Sequence, residues 1–169
     1  MSNEEHSKKH QVKIFCTGGT IDKVYFDALS DYQIGEPVVG NILKEALAKF
    51  SFEVASILKK DSLEITDEDR EMIFQQVAAD SCDHILITHG TDTMINTAQR
   101  LEEIKDKTIV LTGAMQPARF RNTDAIFNIG YAISAAQHLP HGIYLAMNGQ
   151  IFAANAVQKN RAAAQFEAT

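Results

Sequence analysis

The sequence predicts an α/β protein with a doubly wound, mostly parallel sheet and helices on both faces. Short apolar runs alternate with stretches in which apolar residues recur at helical spacing, in the order β-α-β-α-β-α-β. Several apolar runs lead directly into glycine and threonine, which indicates loops at the carboxyl ends of strands. The chain has 169 residues, 45% of them hydrophobic, which is enough for one compact domain with its own core.

Each predicted strand is a short apolar or alternating run. The predicted strands cover residues 12–16, 52–58, 84–88, 108–111 and 143–147, with a return strand at 150–154. The last two are joined by Asn148-Gly149, a dipeptide typical of a type I′ hairpin turn.

The helices have recognisable starts and ends. Pro37 opens a helix with apolar spacing to about residue 50, and Thr66 caps a second that ends near Asp80. A third is predicted over about 96–104. A fourth is capped by Asn122 or Thr123 and runs to residue 138, before a Pro-His-Gly break.

Three segments lack a clear periodic pattern. Residues 21–36 form a long loop, which is typical of a lid or binding loop. Residues 1–10 are polar and charged, and we expect a disordered tail before a single domain at 11–169. The alanine-rich end of the chain, after residue 154, is expected to be partly helical.

Composition excludes several classes of function. The net charge of −6 argues against a nucleic-acid partner, since phosphate binding needs a basic face. No apolar run approaches membrane-spanning length and the N-terminal residues show no signal-peptide pattern, so a cytoplasmic location is expected.

Cys16 and Cys82 are predicted to be buried free thiols, with a disulfide the less favoured alternative. No metal site or cofactor is expected, and His138 and His141 are predicted to lie on the surface.

Two loops rich in threonine and glycine carry the chemistry. Residues 17–20 read Thr-Gly-Gly-Thr, and residues 89–93 read His-Gly-Thr-Asp-Thr; each follows a predicted buried strand. Ligands of open α/β sheets bind at strand ends, and threonine hydroxyls can serve as nucleophiles. For either loop alone, a structural role as a tight turn or a helix cap explains the sequence about as well as a functional role does. The glycine-rich phosphate-binding signatures are absent.

Taken together, the two loops resemble the motifs of the L-asparaginase family. The matching segments are residues 16–21, Cys-Thr-Gly-Gly-Thr-Ile, and residues 88–94, Thr-His-Gly-Thr-Asp-Thr-Met. The segment Gly-Ala-Met-Gln-Pro at 113–117 is similar to a third family motif, and Lys159 matches the family's buried lysine. The resemblance covers nearly the whole chain and implies the fold of the family's amino-terminal domain.

The resemblance implies a role for each matching residue. Thr20 matches the nucleophile, on a flexible lid, and Tyr32 the lid tyrosine that helps to activate it. Thr91 and Lys159 match the second threonine and its lysine, and Asp92 the carboxylate that binds the substrate α-amino group. The implied substrate-binding residues are Gly19, Ser62, Gly90, Thr91, Asp92 and Ala114.

The implied reaction is hydrolysis of the side-chain amide of L-asparagine to L-aspartate and ammonia through an acyl-threonine intermediate. The sequence does not separate asparagine from glutamine. The resemblance also implies a homo-oligomer, a dimer or tetramer, and a smaller second domain that this sequence lacks. In the family, that domain of a neighbouring subunit supplies an acidic residue. The alternatives are therefore a protein that binds asparagine or aspartate with little or no turnover, or the amino half of a larger asparaginase.

Overall fold

The computed structural model describes residues 11–169, in which a six-stranded sheet forms the centre. The prediction of a disordered tail concerns residues 1–10 and lies outside the described residues. The strands are β1 (Val12–Gly18), β2 (Lys23–Phe26), β3 (Asp31–Ile34), β4 (Phe52–Lys60), β5 (His84–Thr88), β6 (Thr108–Thr112), β7 (Gly142–Met147), β8 (Gln150–Ala153), β9 (Val157–Asn160) and β10 (Gln165–Ala168).

Four α-helices connect these strands. They are α1 (Val39–Glu45), α2 (Asp67–Ala79), α3 (Met94–Arg100) and α4 (Ala125–His138). The predicted cap of α2 is confirmed: the Thr66 hydroxyl accepts a hydrogen bond from the Asp69 N–H, and the Asp69 carboxylate accepts one from the Thr66 N–H. The helix predicted over 96–104 starts two residues earlier, as α3, and continues into a 3₁₀ turn over Leu101–Glu103.

The sheet has the order β4-β1-β5-β6-β7-β8, and all its neighbouring pairs are parallel except β7–β8. The Asn148-Gly149 turn joins β7 to β8 with φ of 50° and 82°, as the predicted type I′ turn requires. Apolar side chains that alternate along the strands fill two cores, one on each face of the sheet. Helices α2 and α3 pack on one core, and α1 and α4 pack on the other. The doubly wound, mostly parallel sheet is therefore confirmed.

Strand order reverses at β1. The chain passes from β1 to β4 on one side and then returns to β5 on the other side. The carboxyl ends of β1 and β5 therefore flank the switch point of the sheet, where α/β proteins of this topology bind ligands. Both threonine-rich loops follow these two strands.

The predicted loop over residues 21–36 is wrong in detail. After a 3₁₀ turn over Thr20–Asp22, strands β2 and β3 pair antiparallel, with Tyr25 opposite Tyr32. Aromatic and β-branched residues at these positions favour a hairpin, because their side chains pack across the strands.

The predicted partial helix at the alanine-rich end is also wrong. Strands β9 and β10 form an antiparallel hairpin, and the alanines at 162–164 lie in its exposed turn. Val157 and Phe166 are buried in the core beside the sheet. Burial of these two side chains outweighs the helix propensity of alanine, which is a weak local preference.

Some smaller predictions need correction as well. Helix α1 ends at Glu45 rather than near residue 50, and Leu47 has a positive φ of 56° and is exposed. Both cysteines are free, as predicted; Cys16 is buried and Cys82 is only partly so. Burial raises the pKa of the Cys16 thiol to about 12, which leaves it unreactive.

His138 and His141 are exposed, as predicted. Residues 11–169 contain no group of three or more His, Cys, Asp or Glu side chains arranged to hold a metal ion. Over the same residues, no helix combines the length and apolar character needed to cross a membrane.

Candidate active site

Three loops meet at the carboxyl ends of β4, β1 and β5. The Gly19 N–H donates to the Lys60 carbonyl over 3.0 Å, which ties the loop after β1 to the end of β4. A Cβ atom on Gly19 would lie 2.5 Å from the Gly90 Cα, and one on Gly90 would lie 2.6 Å from the Ser62 Cβ. Only glycine allows the three backbones to approach so closely. The structure therefore brings the predicted binding residues Gly19, Ser62 and Gly90 together.

Ser62 joins the β4 loop to the β5 loop through two hydrogen bonds. Its hydroxyl oxygen accepts from the Asp92 N–H over 3.1 Å, and its carbonyl accepts from the Thr93 hydroxyl over 2.6 Å. Ser62 is buried, at the start of a 3₁₀ turn that the Asp61 carboxylate caps. The turn holds the serine hydroxyl beside the backbone of the second threonine loop.

Lys159 links the distant end of the chain to the same loop. Its ammonium Nζ donates to the Thr91 hydroxyl over 2.8 Å and to the Asp92 carboxylate over 2.7 Å. The Lys159 side chain is 12% exposed and the Asp92 side chain 34%. Phe166, the partner of Lys159 across the β9–β10 hairpin, is buried in the core and fixes the strand that carries the lysine. The predicted trio of Thr91, Asp92 and Lys159 is therefore in mutual contact.

Thr20 and Tyr32 occupy the less constrained side of the site. Thr20 directly follows Gly19, which packs against Gly90, and the residue is half-buried. Tyr32 is 46% exposed, and its ring lies edge-on to the rings of Tyr25 and Phe120, with centroids 5.3 and 5.7 Å away. Within residues 11–169, neither hydroxyl takes part in a hydrogen bond, so both are free to engage a ligand.

A groove runs between the β2–β3 hairpin and the Ser62 turn. Its walls include Lys23, Tyr32, Lys59, Asp61 and Glu64. The hairpin therefore covers the serine turn as a lid covers a binding cleft, and the Lys23 Nζ lies 3.8 Å from the Asp61 carboxylate across the groove.

The third predicted loop supports the site from below. A Cβ atom on Gly113 would lie 2.3 Å from the His89 carbonyl oxygen, so this loop packs against the second. Ala114 is 2% exposed, and its methyl group belongs to the core on one face of the sheet. The structure therefore buries the Ala114 side chain beneath the site.

Asp124 holds the third loop in shape. Its carboxylate accepts hydrogen bonds from the Met115 and Gln116 N–H groups and from the side chains of Asn128 and Asn148. Partial burial alone would raise the pKa of this carboxyl, yet these donors lower it below its usual value. Asp124 is therefore ionised, and it organises the backbone that follows β6.

His89 packs behind the second threonine loop. It is buried, with its ring nitrogens 2.7 Å from the Gly90 carbonyl oxygen and 2.8 Å from the Thr97 hydroxyl. Burial lowers the pKa of the ring to about 4, more than the Gly90 carbonyl raises it, so the imidazole is neutral. It fixes the backbone of Gly90 from behind the site.

Sequence reasoning missed three residues beside the site. Thr93 bonds the Ser62 carbonyl, and it could have been found as the last threonine of the second loop. Asp22 is buried at the base of the hairpin, where a charged residue is unexpected. The Arg161 Nε lies 4.0 Å from the Asp92 carboxylate, and its position two residues after Lys159 was the available signal.

Known proteins share the sequence pattern of nearly the whole chain. The profile of the family described as "Asparaginase, N-terminal" matches residues 11–168. An L-asparaginase from Thermococcus kodakarensis is 38% identical over 156 residues, which are 86% of this chain and 46% of that protein. The structure of the thermostable L-asparaginase from the same organism superimposes with a TM-score of 0.80 at 30% identity, over 94% of this chain and 51% of that one.

The similarity extends to proteins with a different name. One subunit of a glutamyl-tRNA(Gln) amidotransferase from Methanococcus maripaludis is 29% identical over 160 residues, 87% of this chain and 37% of that protein. The chain spans about half the length of the curated relatives it matches. Because the family profile covers nearly every residue that the structure describes, the chain belongs to the asparaginase family and has the fold of its amino-terminal domain.

Proposed function

We propose that this protein hydrolyses the side-chain amide of L-asparagine, giving L-aspartate and ammonia through an acyl-threonine intermediate. The observation that carries the proposal is the contact of the Lys159 Nζ with both the Thr91 hydroxyl and the Asp92 carboxylate, at 2.8 and 2.7 Å. It couples a hydroxyl to a cation and an acid at the switch point of the sheet, beside the loop that carries Thr20.

The substrate would be held by its two charged groups. The Asp92 carboxylate would bind the α-ammonium group, and the Ser62 hydroxyl would donate to the α-carboxylate. Gly19 and Gly90 leave room for the ligand to approach the backbone, because neither has a side chain. This arrangement would aim the side-chain amide at Thr20.

Chemistry would proceed in two steps. The Thr20 oxygen adds to the amide carbon as its hydroxyl proton is removed, with help from Tyr32; the C–N bond then breaks and ammonia leaves with a proton. Water next adds to the carbonyl carbon of the resulting ester; the bond between this carbon and the Thr20 oxygen breaks, L-aspartate leaves, and a proton from the water restores the Thr20 hydroxyl. Thr91 and Lys159, on the rigid side of the site, would position and activate the groups that react in these two steps.

A donor for the oxyanion is available on the same loop. Among residues 11–169, the Thr91 backbone N–H donates no hydrogen bond, although it lies at the centre of the site. A fixed N–H aimed at a developing negative charge contributes a large share of catalysis in acyl transfer. We assign this role to Thr91 in addition to its hydroxyl contact with Lys159.

The direct test is release of ammonia by the purified protein from L-asparagine and, in parallel, from L-glutamine. Thr20→Ala should abolish turnover, and Lys159→Met should lower kcat by roughly 100-fold or more. Lys105→Gln removes an exposed lysine from the opposite edge of the sheet and should leave activity unchanged. Ammonia release that persists in Thr20→Ala, or none from the unaltered protein, would refute the proposal.

A second candidate is binding of asparagine or aspartate with little turnover. It is favoured by the exposed position of Tyr32, whose ring packs on Tyr25 and Phe120. Titration calorimetry with L-aspartate, run beside the ammonia assay, separates the two functions. Binding without ammonia release would select the second candidate.

A further inference from the structure

Two cations share one carboxylate at the edge of the site. The Asp92 Oδ1 atom is 2.7 Å from the Lys159 Nζ and 4.0 Å from the Arg161 Nε. One negative group therefore faces two positive groups, and the cluster carries an excess positive charge. Such a cluster favours a ligand that brings a negative group of its own.

The two cations are held very differently. The Lys159 side chain is 12% exposed and makes two short hydrogen bonds, whereas the Arg161 side chain is 66% exposed. Within residues 11–169, the Arg161 guanidinium makes no hydrogen bond, and an exposed ion pair at 4.0 Å contributes little stability. Arg161 can therefore leave Asp92 at little cost.

Without Arg161, the α-carboxylate of a bound substrate would lack hydrogen-bond donors for most of its acceptor positions. The Ser62 oxygen accepts a hydrogen bond from the Asp92 N–H. Its hydroxyl has a single proton to donate to a bound carboxylate. A carboxylate offers about four acceptor positions. A guanidinium matches two of them with parallel N–H donors, a geometry that an ammonium cannot reproduce.

We propose that Arg161 binds the α-carboxylate of the substrate, and so makes the site selective for amides that carry a free carboxylate. This inference rests on the proposed function, in which Asp92 binds the α-ammonium group. Both charged groups of an α-amino acid are bonded to the same carbon. A cation that already approaches the Asp92 carboxylate is therefore within reach of the carboxylate of a ligand held there.

Three amides test the assignment, each measured with the unaltered protein, Arg161→Gln and Arg161→Lys. L-Asparagine carries both charged groups, succinamate lacks the ammonium, and 3-aminopropanamide lacks the carboxylate. Arg161→Gln should raise KM roughly tenfold or more for the first two and leave KM for 3-aminopropanamide unchanged. Arg161→Lys keeps the positive charge but loses the two parallel N–H donors. Its KM values should therefore lie between those of the unaltered protein and those of Arg161→Gln. Lys105→Gln controls for the loss of one positive charge.

Calorimetry with L-aspartate provides a readout that does not depend on turnover, with the same tenfold weakening expected in Arg161→Gln. If ammonia is not released but the aspartate affinity depends on Arg161, the proposed reaction fails and the carboxylate assignment stands. If Arg161→Gln weakens all three amides equally, or none, the assignment is overturned while the reaction stands. A protein that binds neither aspartate nor any of the amides would overturn both.

Discussion

At the scale of single residues, the close approach of Gly90 to Ser62 sets the shape of the site. A Cβ atom at residue 90 would lie 2.6 Å from the Ser62 Cβ and 2.8 Å from its hydroxyl oxygen, both closer than van der Waals contact allows. Ser62 is buried and bonded to the loop on its other side, so it cannot move away freely. A methyl group here must push the β4 and β5 loops apart.

We therefore expect Gly90→Ala to destabilise the protein by about 1–3 kcal/mol and to abolish ammonia release. Gly130→Ala is the matched control, because a Cβ atom on Gly130 would meet nothing within 4 Å. Gly130 lies inside α4, where alanine favours the helix by about 0.5–1 kcal/mol. Urea unfolding and the ammonia assay measure both effects. Equal stability of the two variants would contradict the steric interpretation.

The candidate site was largely predictable at this scale because its residues lie in two short motifs and one matching lysine. The contact between Lys159 and the loop of Thr91 and Asp92 was expected from the resemblance, and the structure contains it. Arg161 was not predicted, because its approach to Asp92 depends on how the chain folds after residue 154. The catalytic roles themselves stay predictions until activity is measured.

At the scale of elements, the sheet and its helices were predictable and the two small hairpins were not. Buried parallel strands such as β5 and β6 have continuous apolar sequences, which local patterns reveal. The β2–β3 and β9–β10 hairpins are short and partly exposed, so their sequences show no clear alternation. Their pairing depends on contacts such as Phe166 with the core, and these are set by tertiary structure.

The β2–β3 hairpin is anchored at its base by Asp22. The Asp22 carbonyl accepts from the Gly35 N–H over 2.8 Å and from the Arg119 guanidinium over 3.2 Å, and its carboxylate accepts from the Val38 N–H over 3.1 Å. Burial raises the pKa of this carboxyl to about 6, while the Val38 N–H and the Arg119 charge oppose the shift. Ionised Asp22 is thus a cost to the folded state.

The sign of the resulting pH dependence follows from proton uptake. Between the ordinary Asp pKa of 3.8 and the folded value of about 6, the folded chain keeps a proton on Asp22 that the unfolded chain has lost. The stability that this proton contributes is complete below pH 3.8 and is lost as pH rises to 6. Buried His89, with a pKa near 4, has the opposite effect, since the unfolded chain binds its proton up to pH 6.5.

Asp22→Asn keeps an oxygen that accepts from the Val38 N–H and removes the carboxyl group that titrates. We expect this variant to gain stability relative to the unaltered protein as pH rises from 4 to 6, reaching about 2–3 kcal/mol at pH 7. Its own stability should rise with pH over this range because the effect of His89 is no longer offset. Urea unfolding at several pH values measures both trends. A stability difference that does not change with pH would contradict the role assigned to Asp22.

At the scale of the whole molecule, helix α4 presents apolar side chains to solvent. Ile126 and Phe127 are 58% and 59% exposed, and the Phe127 ring stacks on Tyr131 with centroids 5.9 Å apart. The β7–β8 turn adjoins the same ring, because a Cβ atom on Gly149 would lie 3.6 Å from it. We name the side chains of Ile126, Phe127 and Tyr131 the α4 patch. Contiguous exposed apolar groups of this kind mark surfaces where proteins associate.

From the resemblance to L-asparaginases we expect a homo-oligomer, and we expect copies of this chain to associate through the α4 patch. We expect sedimentation equilibrium to show a dimer or tetramer, and Phe127→Glu to shift the protein toward monomer, because a buried unpaired carboxylate is costly at an interface. Ala78→Glu adds the same charge at an exposed position of α2, on the other face of the sheet, and should leave the oligomer intact. Circular dichroism should show both variants folded, since neither side chain is buried. An unaltered protein that sediments as a monomer would refute the predicted oligomer, and an oligomer unaffected by Phe127→Glu would place the interface on another surface.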